Sequence, residues 1–142
     1  MAITVSALHI YPVKGLKALD PAEARLTERG LEHDRRYMVV DASGEFLSQR
    51  VVPKMATVWT DIDGADLTLS APDLDPVGLP LELVSGERMR VRVWRSDCDA
   101  IAPSREADRW LSGYLGLECR LVYMPDSTRR ESNPEYAPGK IV

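Results

Sequence analysis

Short runs in which apolar and polar residues alternate with a period of two dominate this sequence, and turn residues separate them. Such alternation is typical of β-strands that bury one face of a sheet. It occurs at residues 22–27, 67–70 and 88–93, and in the last run apolar side chains alternate with three arginines. The pattern predicts a mainly β chain built from half-buried strands.

The opening run of apolar residues changes phase partway along. Ile3 and Val5 share one phase, whereas Leu8 and Ile10 take the other. Such a change predicts a bulge or bend in a long first strand, which allows a sheet to curl. The predicted fold class is therefore mainly β, an antiparallel β-barrel with one amphipathic helix.

Turn signals divide the predicted strands. The Asp-Ala-Ser-Gly sequence at 41–44 follows the apolar run 37–40 and predicts a four-residue hairpin connection, and Asp63-Gly64 predicts a second hairpin. Residues 73–80 contain prolines and a glycine, so we predict a loop there.

One segment, residues 104–116, has a full set of helix signals. Ser104 can cap the N-terminus, Glu106 and Asp108 place acidic groups in the first turn, and Gly116 can end the helix in a left-handed conformation. Its apolar residues recur with helical spacing and predict a stripe that packs on the sheet: Ala107, Trp110, Leu111, Tyr114 and Leu115.

The bulk properties exclude several classes of protein. A net charge of −4 argues against a surface built to bind nucleic acid or an anionic membrane. The sequence has no apolar run of about 18 residues and no secretory signal, so a cytoplasmic location is expected. Cys98 and Cys119 are predicted to be reduced and packed, and with only His9 and His33 beside them no metal site is predicted.

The last part of the chain differs in kind from the rest. Residues 125–142 contain prolines and clustered charges without periodicity, and they end as an apolar run begins. We therefore expect a domain over residues 1–124, followed by a linker or tail at 125–142 that leads toward a further domain.

Two polar segments are candidate anion sites. Lys14 and Gly15 follow a predicted strand end, where a glycine allows close backbone approach and an ammonium group supplies charge; an ordinary solvated turn is the alternative. In the second segment, Arg35 or Arg36 can present a planar fork to a phosphate or carboxylate, with Asp34 as its orienting group. The alternative is a surface ion pair.

No catalytic residue is predicted. A nucleophile–histidine–acid set is missing, and His33 is interpreted as exposed polar surface. Arg88, Arg90 and Arg92 form a basic stripe, which we interpret as a solvated face balanced by acidic residues on neighbouring strands.

Several segments, in this order and spacing, carry a resemblance to a known domain family. The first five are IYPVKGL at 10–16, GL at 30–31, DRRYMVV at 34–40, FLSQR at 46–50 and PKM at 53–55. Later segments at 93–94, 110–112, 115–116, 120–122 and 128–130 match the last part of the same domain. Together they resemble the MOSC N-terminal β-barrel domain found in bacterial YcbX-type proteins and in the mitochondrial amidoxime-reducing component.

The resemblance implies a β-barrel that precedes a catalytic C-terminal MOSC domain, its partner in the same chain. Together the two domains would bind molybdenum cofactor (molybdopterin) and reduce N-hydroxylated compounds, with electrons from a ferredoxin-type or other redox partner. In the family the cysteine that ligates molybdenum lies in the MOSC domain. This chain alone is therefore expected to be inactive and to hold no cofactor.

The resemblance also assigns cofactor-binding residues. It implies that Lys14, Gly15 and Arg35 help to hold the phosphate and pterin of the cofactor. Gly15 stands where some relatives have a hydroxyl residue, and Tyr37 where many have tryptophan. Two alternatives stay open: a stand-alone binding module without redox activity, and a part of a protein that transfers sulfur to the cofactor.

Overall fold

Three β-sheets and one α-helix make up the regular structure in a computed structural model that describes residues 1–130, 133–137 and 139. The helices are the 3₁₀ helix Pro53–Thr57 and α1, Arg105–Leu115. The strands are β1 Val13–Lys14, β2 Leu26–Thr27, β3 Gly30–Leu31, β4 Tyr37–Asp41, β5 Trp59–Asp63, β6 Asp66–Ser70, β7 Val77–Pro80, β8 Glu87–Val93, β9 Ser96–Ala102 and β10 Cys119–Tyr123. The prediction of a mainly β fold with one helix is confirmed.

The largest sheet has the strand order β1-β4-β10-β9-β8, with β1 parallel to β4 and the other pairs antiparallel. Strand β4 is buried on both faces, which explains its continuous apolar sequence. Because side chains alternate along a strand, Tyr37 and Val39 enter one apolar cluster, and Met38 and Val40 enter another.

The larger cluster, here called the main core, lies between this sheet, the β5-β6-β7 sheet, the 3₁₀ helix and α1. Met55, Leu67, Leu69 and Leu111 are each fully buried in it. Full burial of such a side chain contributes about 1.5–3 kcal/mol. The main core therefore supplies most of the apolar stabilisation.

The smaller cluster, here called the second cluster, uses the opposite face of the five-stranded sheet. Its buried members are Met38, Val40, Val91, Val93, Cys98, Ala100 and Val122. Phe46, Met89 and Met124 pack at its border.

The predicted closed barrel is not found: no sheet closes on itself in the part of the chain that the structure describes, and β1 and β8 are open edges of the five-stranded sheet. The gap between β4 and β8 is spanned only by isolated bridges, from Phe46 to Val40 and from Glu45 to Arg92. Among the described residues, the segment that returns from the 41–44 turn forms no ladder with either strand.

The predicted long first strand is also wrong. Residues 1–9 form no strand, Ile3 and Val5 are 99% and 77% exposed, and Ile10 makes only an isolated bridge to Leu19. In the 22–27 run only Leu26–Thr27 is strand, and Leu26 is 77% exposed. Alternation alone cannot make a strand, because a strand also needs a neighbour to pair with.

The 73–80 segment, predicted as a loop, contains β7 at its end. Val77 and Leu79 are buried and pair with Leu69 and Leu67 of β6. As an edge strand, β7 pairs on one side only, so a proline at its end is tolerated.

The helix and both hairpin turns appear where the local signals place them. The Ser104 hydroxyl accepts a hydrogen bond from the Ala107 N–H at 3.1 Å, and Gly116 ends α1 with φ of 76°. The Asp63-Gly64 turn joins β5 to β6, and Gly44 has φ of 86° in the first turn. Among the described residues, no helix is long and apolar enough to cross a membrane.

Candidate functional site

The Lys14–Gly15 turn directly follows the short strand β1. Val13 is fully buried, and β1 runs parallel to the start of β4, which anchors the turn. Gly15 has φ of +86°, and a Cβ there would lie 2.9 Å from Met55 Cε. A side chain at this position would therefore be strained and would displace Met55. The Gln49 amide donates a hydrogen bond to the Gly15 carbonyl at 2.8 Å.

Arg35 is held against the same turn by its backbone. It has φ of 53°, a conformation that non-glycine residues rarely adopt. Its N–H donates to the Tyr11 carbonyl at 2.6 Å, and the Tyr11 N–H donates to Asp34 Oδ1 at 2.8 Å. The Arg35 guanidinium pairs with the Asp34 carboxylate and lies 4.8 Å from the centre of the Tyr11 ring. The two candidate segments are therefore joined in the fold.

The three site residues predicted from the sequence, Lys14, Gly15 and Arg35, line one cavity of about 370 Å³, here called the basic cleft. The other lining residues are Tyr11, Leu47, Ser48, Gln49 and Arg50. Among the described residues, three cations and no carboxylate line this cleft. Sequence reasoning missed Arg50, although the FLSQR segment that carries it formed part of the resemblance.

The Lys14 ammonium lies over aromatic rings instead of beside an acid. Its Nζ is 4.2 Å from the centre of the Phe46 ring and 5.3 Å from that of Trp94. No described carboxylate lies within ion-pair distance of it. Burial lowers the pKa of Lys14, and the positive charges of Arg130 and Arg35 lower it further. An anion placed here would relieve this repulsion.

A second cavity, here called the apolar cavity, has a volume of about 260 Å³ and opens into the second cluster. Lys14 and Arg35 line both this cavity and the basic cleft, so they form the wall between the two. The remaining lining residues are Arg36, Met38, Val91, Val93, Cys98, Ala100, Val122, Met124 and Arg130.

Arg130 is a second residue that sequence reasoning did not single out, although the 128–130 segment also formed part of the resemblance. Its Nε is buried and has no hydrogen-bond partner among the described residues. The backbone leading to it is held in place: the Arg29 guanidinium donates to the Thr128 carbonyl at 2.6 Å, and the Thr128 hydroxyl donates to the Asp99 carbonyl at 2.9 Å. Arg130 is charged and lies outside any periodic pattern, so no local signal in the sequence indicates that its Nε is buried.

The structure separates the roles of Arg35 and Arg36. The Arg36 guanidinium donates to the Met124 carbonyl at 2.6 and 3.0 Å, and it pairs with Asp126 at 2.8 Å. Arg36 therefore ties the start of β4 to the segment after β10. Arg35 has only the Asp34 carboxylate as a described ion-pair partner.

The other candidate residues lie outside the basic cleft. His33 Nδ1 is 3.6 Å from Glu82, and these two residues and Glu32 have potential ligand atoms within 4.8 Å of one another. They line a separate surface pocket that contains none of the predicted site residues.

The arginine stripe on β8 and the two cysteines serve the structure. Arg90 pairs with Asp99 at 3.1 Å and Arg92 with Asp97 at 2.8 Å, which confirms the prediction of a balanced solvated face at these two positions. Cys98 and Cys119 are free and buried, as predicted, and burial raises the pKa of both thiols.

The sequence profile of the family described as "MOSC N-terminal beta barrel domain" matches residues 2–118. Mitochondrial amidoxime reducing component 2 of Rattus norvegicus is 29% identical over 96% of this chain and 42% of its own length. Mitochondrial amidoxime-reducing component 1 of Xenopus laevis is 32% identical over 78% of this chain and 34% of its own length. Molybdenum cofactor sulfurase of Homo sapiens is 25% identical over 96% of this chain.

The chain spans less than half of each of these relatives, and only 16% of the human sulfurase. The solution structure of a protein from Bordetella bronchiseptica is similar, with a TM-score of 0.62 at 20% identity. The similarity covers 82% of this chain and 99% of that one, so the same fold accounts for nearly the whole of the Bordetella chain.

Proposed function

The chain belongs to the family of MOSC N-terminal beta barrel domains, and from this premise we propose that it holds the phosphate and pterin of a molybdenum cofactor through Lys14, Gly15 and Arg35. It would do so as the N-terminal part of a longer oxidoreductase that reduces N-hydroxylated compounds. Its partner there is a C-terminal catalytic MOSC domain, expected after a domain at residues 1–124 and a linker at 125–142.

The observation that carries this proposal is the convergence of two distant segments on the basic cleft. Lys14, Arg35 and Arg50 bring three cationic groups to it, of which Arg35 is paired with Asp34, and no described carboxylate lines the cleft itself. A phosphate group would meet charge-assisted donors on more than one side. The residues present therefore fit an anionic ligand, although the net charge of the whole chain is −4.

The individual side chains suit different parts of such a ligand. Lys14 offers a compact ammonium charge without a competing acid, and Arg35 has a fork of five N–H donors, of which Asp34 can occupy only some. Gly15 lines the cleft with its backbone, and its φ of +86° sets the shape of the turn that follows Lys14. Gly15 lacks the hydroxyl group that some relatives have at this position, and Ser48 brings a hydroxyl group to the same cleft.

When bound, the cofactor would supply the redox chemistry through its molybdenum centre. The described residues would supply charge, orientation and exclusion of water. Neither cysteine lines the basic cleft, since Cys98 faces the apolar cavity and Cys119 packs beside Ser112. The thiolate ligand of molybdenum would then lie in the MOSC domain. In the same proposal, a ferredoxin-type or other redox partner supplies the electrons, and the protein works in the cytoplasm.

A second candidate function is a part in sulfur transfer to the cofactor, which the similarity to the human sulfurase favours. It would use the same basic cleft to hold the same ligand. Reduction of an amidoxime by the longer protein would support the first function, whereas delivery of sulfur to the cofactor of an acceptor enzyme would support the second. A stand-alone binding module would do neither.

The test compares Lys14→Ala and Arg35→Ala with the unchanged longer protein after purification from cells that make the cofactor. We expect both variants to retain much less molybdenum and pterin, measured by mass spectrometry of the metal and fluorescence of the oxidised pterin. Lys17→Ala is the matched control, because Lys17 lies in the same region but is exposed over Trp59. Normal cofactor content in both site variants would overturn the assignment.

A further inference from the structure

The apolar cavity is large enough for a small organic molecule. Its volume of about 260 Å³ exceeds that of an engineered apolar cavity of about 150 Å³ that takes up benzene. The side chains of Val91, Val93, Ala100 and Val122 supply an apolar wall from strands β8, β9 and β10. An apolar body in this space would replace water against these side chains.

The charged side of the cavity is built from cations. Lys14, Arg35, Arg36 and Arg130 line it, and no described carboxylate does. Arg36 is already paired with Asp126, and Arg35 with Asp34. The charges of Lys14 and Arg130 are therefore the ones left to meet a ligand.

Arg130 provides the most specific sign of a missing partner. Its buried Nε–H has no acceptor in the described part of the chain, and a buried donor without an acceptor is costly. The hydrogen bonds of Arg29 and Thr128 hold the preceding backbone, so the guanidinium is positioned from a fixed segment. An oxyanion bound in the cavity would supply the acceptor.

We propose that the apolar cavity binds an oxyanion carried on a small apolar body, with the anionic group at Arg130 and Lys14 and the body against β8 and β9. This site adjoins the basic cleft and shares Lys14 and Arg35 with it, but Arg130 and Ala100 line only the apolar cavity, and Arg50 lines only the basic cleft. The proposal goes beyond the cofactor assignment and does not depend on it.

The test uses the 142-residue chain and a set of matched probe molecules. Binding of each probe is measured by titration, with the NMR signals of the methyl groups as the readout. Hexanoate and hexyl phosphate combine an anion with an alkyl chain of five and six carbons, respectively, and distinguish a carboxylate ligand from a phosphate ligand. Hexanol lacks the charge, and inorganic phosphate lacks the apolar body. We expect at least one of the two amphipathic anions to shift the signals of Val91, Val93 and Ala100, and to bind about tenfold more tightly than either control.

Two variants assign the binding to the cavity. Arg130→Gln removes the charge and is expected to weaken binding about tenfold, whereas Arg129→Gln, next to it but exposed and paired with Glu28, keeps the affinity unchanged. Ala100→Leu fills the cavity and is expected to abolish binding. If that variant does not fold, as judged by circular dichroism, Arg130→Gln still decides the outcome.

Other results would overturn the proposal. Equal affinity for hexanol would remove the role of the oxyanion, and equal affinity for inorganic phosphate would remove the role of the apolar body. An unchanged affinity in Arg130→Gln, or no binding of either amphipathic anion, would also reject it. Arg50→Gln is expected to leave the hexanoate affinity unchanged, because Arg50 does not line the apolar cavity. If the same substitution in the longer protein lowers cofactor retention, that loss concerns the basic cleft and not the apolar cavity.

Discussion

The two faces of the five-stranded sheet bury apolar side chains in very different surroundings. The main core contains 20 buried residues and is covered by α1, the 3₁₀ helix and a second sheet, whereas the second cluster contains seven and borders a cavity. Adjacent residues of one strand divide between them, with Val39 in the main core and Val40 in the second cluster. One face of the sheet therefore stabilises the domain, and the other leaves room for a ligand.

Charged side chains are also treated differently on the two faces of the sheet. The main-core side has Asp108 as its buried acid, which accepts hydrogen bonds from the Leu121 N–H at 2.8 Å and from Arg120 Nε at 3.0 Å. Beside the second cluster, the buried Arg130 Nε has no hydrogen-bond partner among the described residues, and the Lys14 ammonium lies over aromatic rings. A satisfied polar group stabilises a fold, whereas an unsatisfied one at a cavity is a feature of binding sites.

The largest expected difference between the two faces is in stability. Val39→Ala is expected to lower the free energy of unfolding by about 2.5 kcal/mol, because it leaves a void in a close-packed region. Val122→Ala is expected to cost about 1 kcal/mol, since Val122 already borders the apolar cavity and loses fewer contacts. Urea unfolding followed by tryptophan fluorescence measures both. Equal losses would show that the two faces are packed alike.

A smaller effect should separate the helix from the cavity. Ser104→Ala removes the N-terminal cap of α1 and is expected to lower the free energy of unfolding by about 1 kcal/mol. Hexanoate affinity should stay unchanged, because α1 packs on the main-core side. Thermal unfolding and the NMR titration measure the two effects, and Ser85→Ala in an exposed turn is the control. A parallel loss of hexanoate affinity would show that the faces are coupled.

The smallest effect concerns the two thiols, one on each face. Cys98 lines the apolar cavity and Cys119 lies in the main core, so we expect iodoacetamide to modify Cys98 several times faster. Bound hexanoate should slow the modification of Cys98 only. Mass spectrometry of the modified peptides measures both rates. Equal rates, or protection of Cys119, would contradict the assignment of Cys98 to an accessible cavity.

The same thiols predict a pH dependence. Burial raises the pKa of Cys98 and Cys119, so the folded state binds their protons more tightly than the unfolded state does. Their contribution to stability is therefore full below the ordinary cysteine pKa and is lost as the pH rises from there through the raised pKa of the folded protein. Because iodoacetamide reacts with the thiolate, both modification rates should rise at a higher pH than the modification rate of a free cysteine does.

Local signals predicted the local elements well. The cap at Ser104, the glycine at 116 and the apolar spacing between them define α1, because a helix is stabilised by residues close to one another in sequence. The Asp63-Gly64 hairpin is confirmed for the same reason. The wrong predictions, namely the strand at 3–10, the loop over 77–80 and the closed barrel, all concern which segments find a strand to pair with.

The sequence by itself determined which chemical groups the site offers: a lysine beside a glycine in one segment and an arginine after an aspartate in the other. The resemblance then implied that the two segments share a role. Only the tertiary structure decided that these two segments meet, that Arg50 joins them in the basic cleft, and that Arg130 reaches the apolar cavity. The physical reason is the range of the interactions. Caps and turns depend on neighbours in the chain, whereas the surroundings of Arg130 depend on Arg29 and Asp99, which are far from it in sequence.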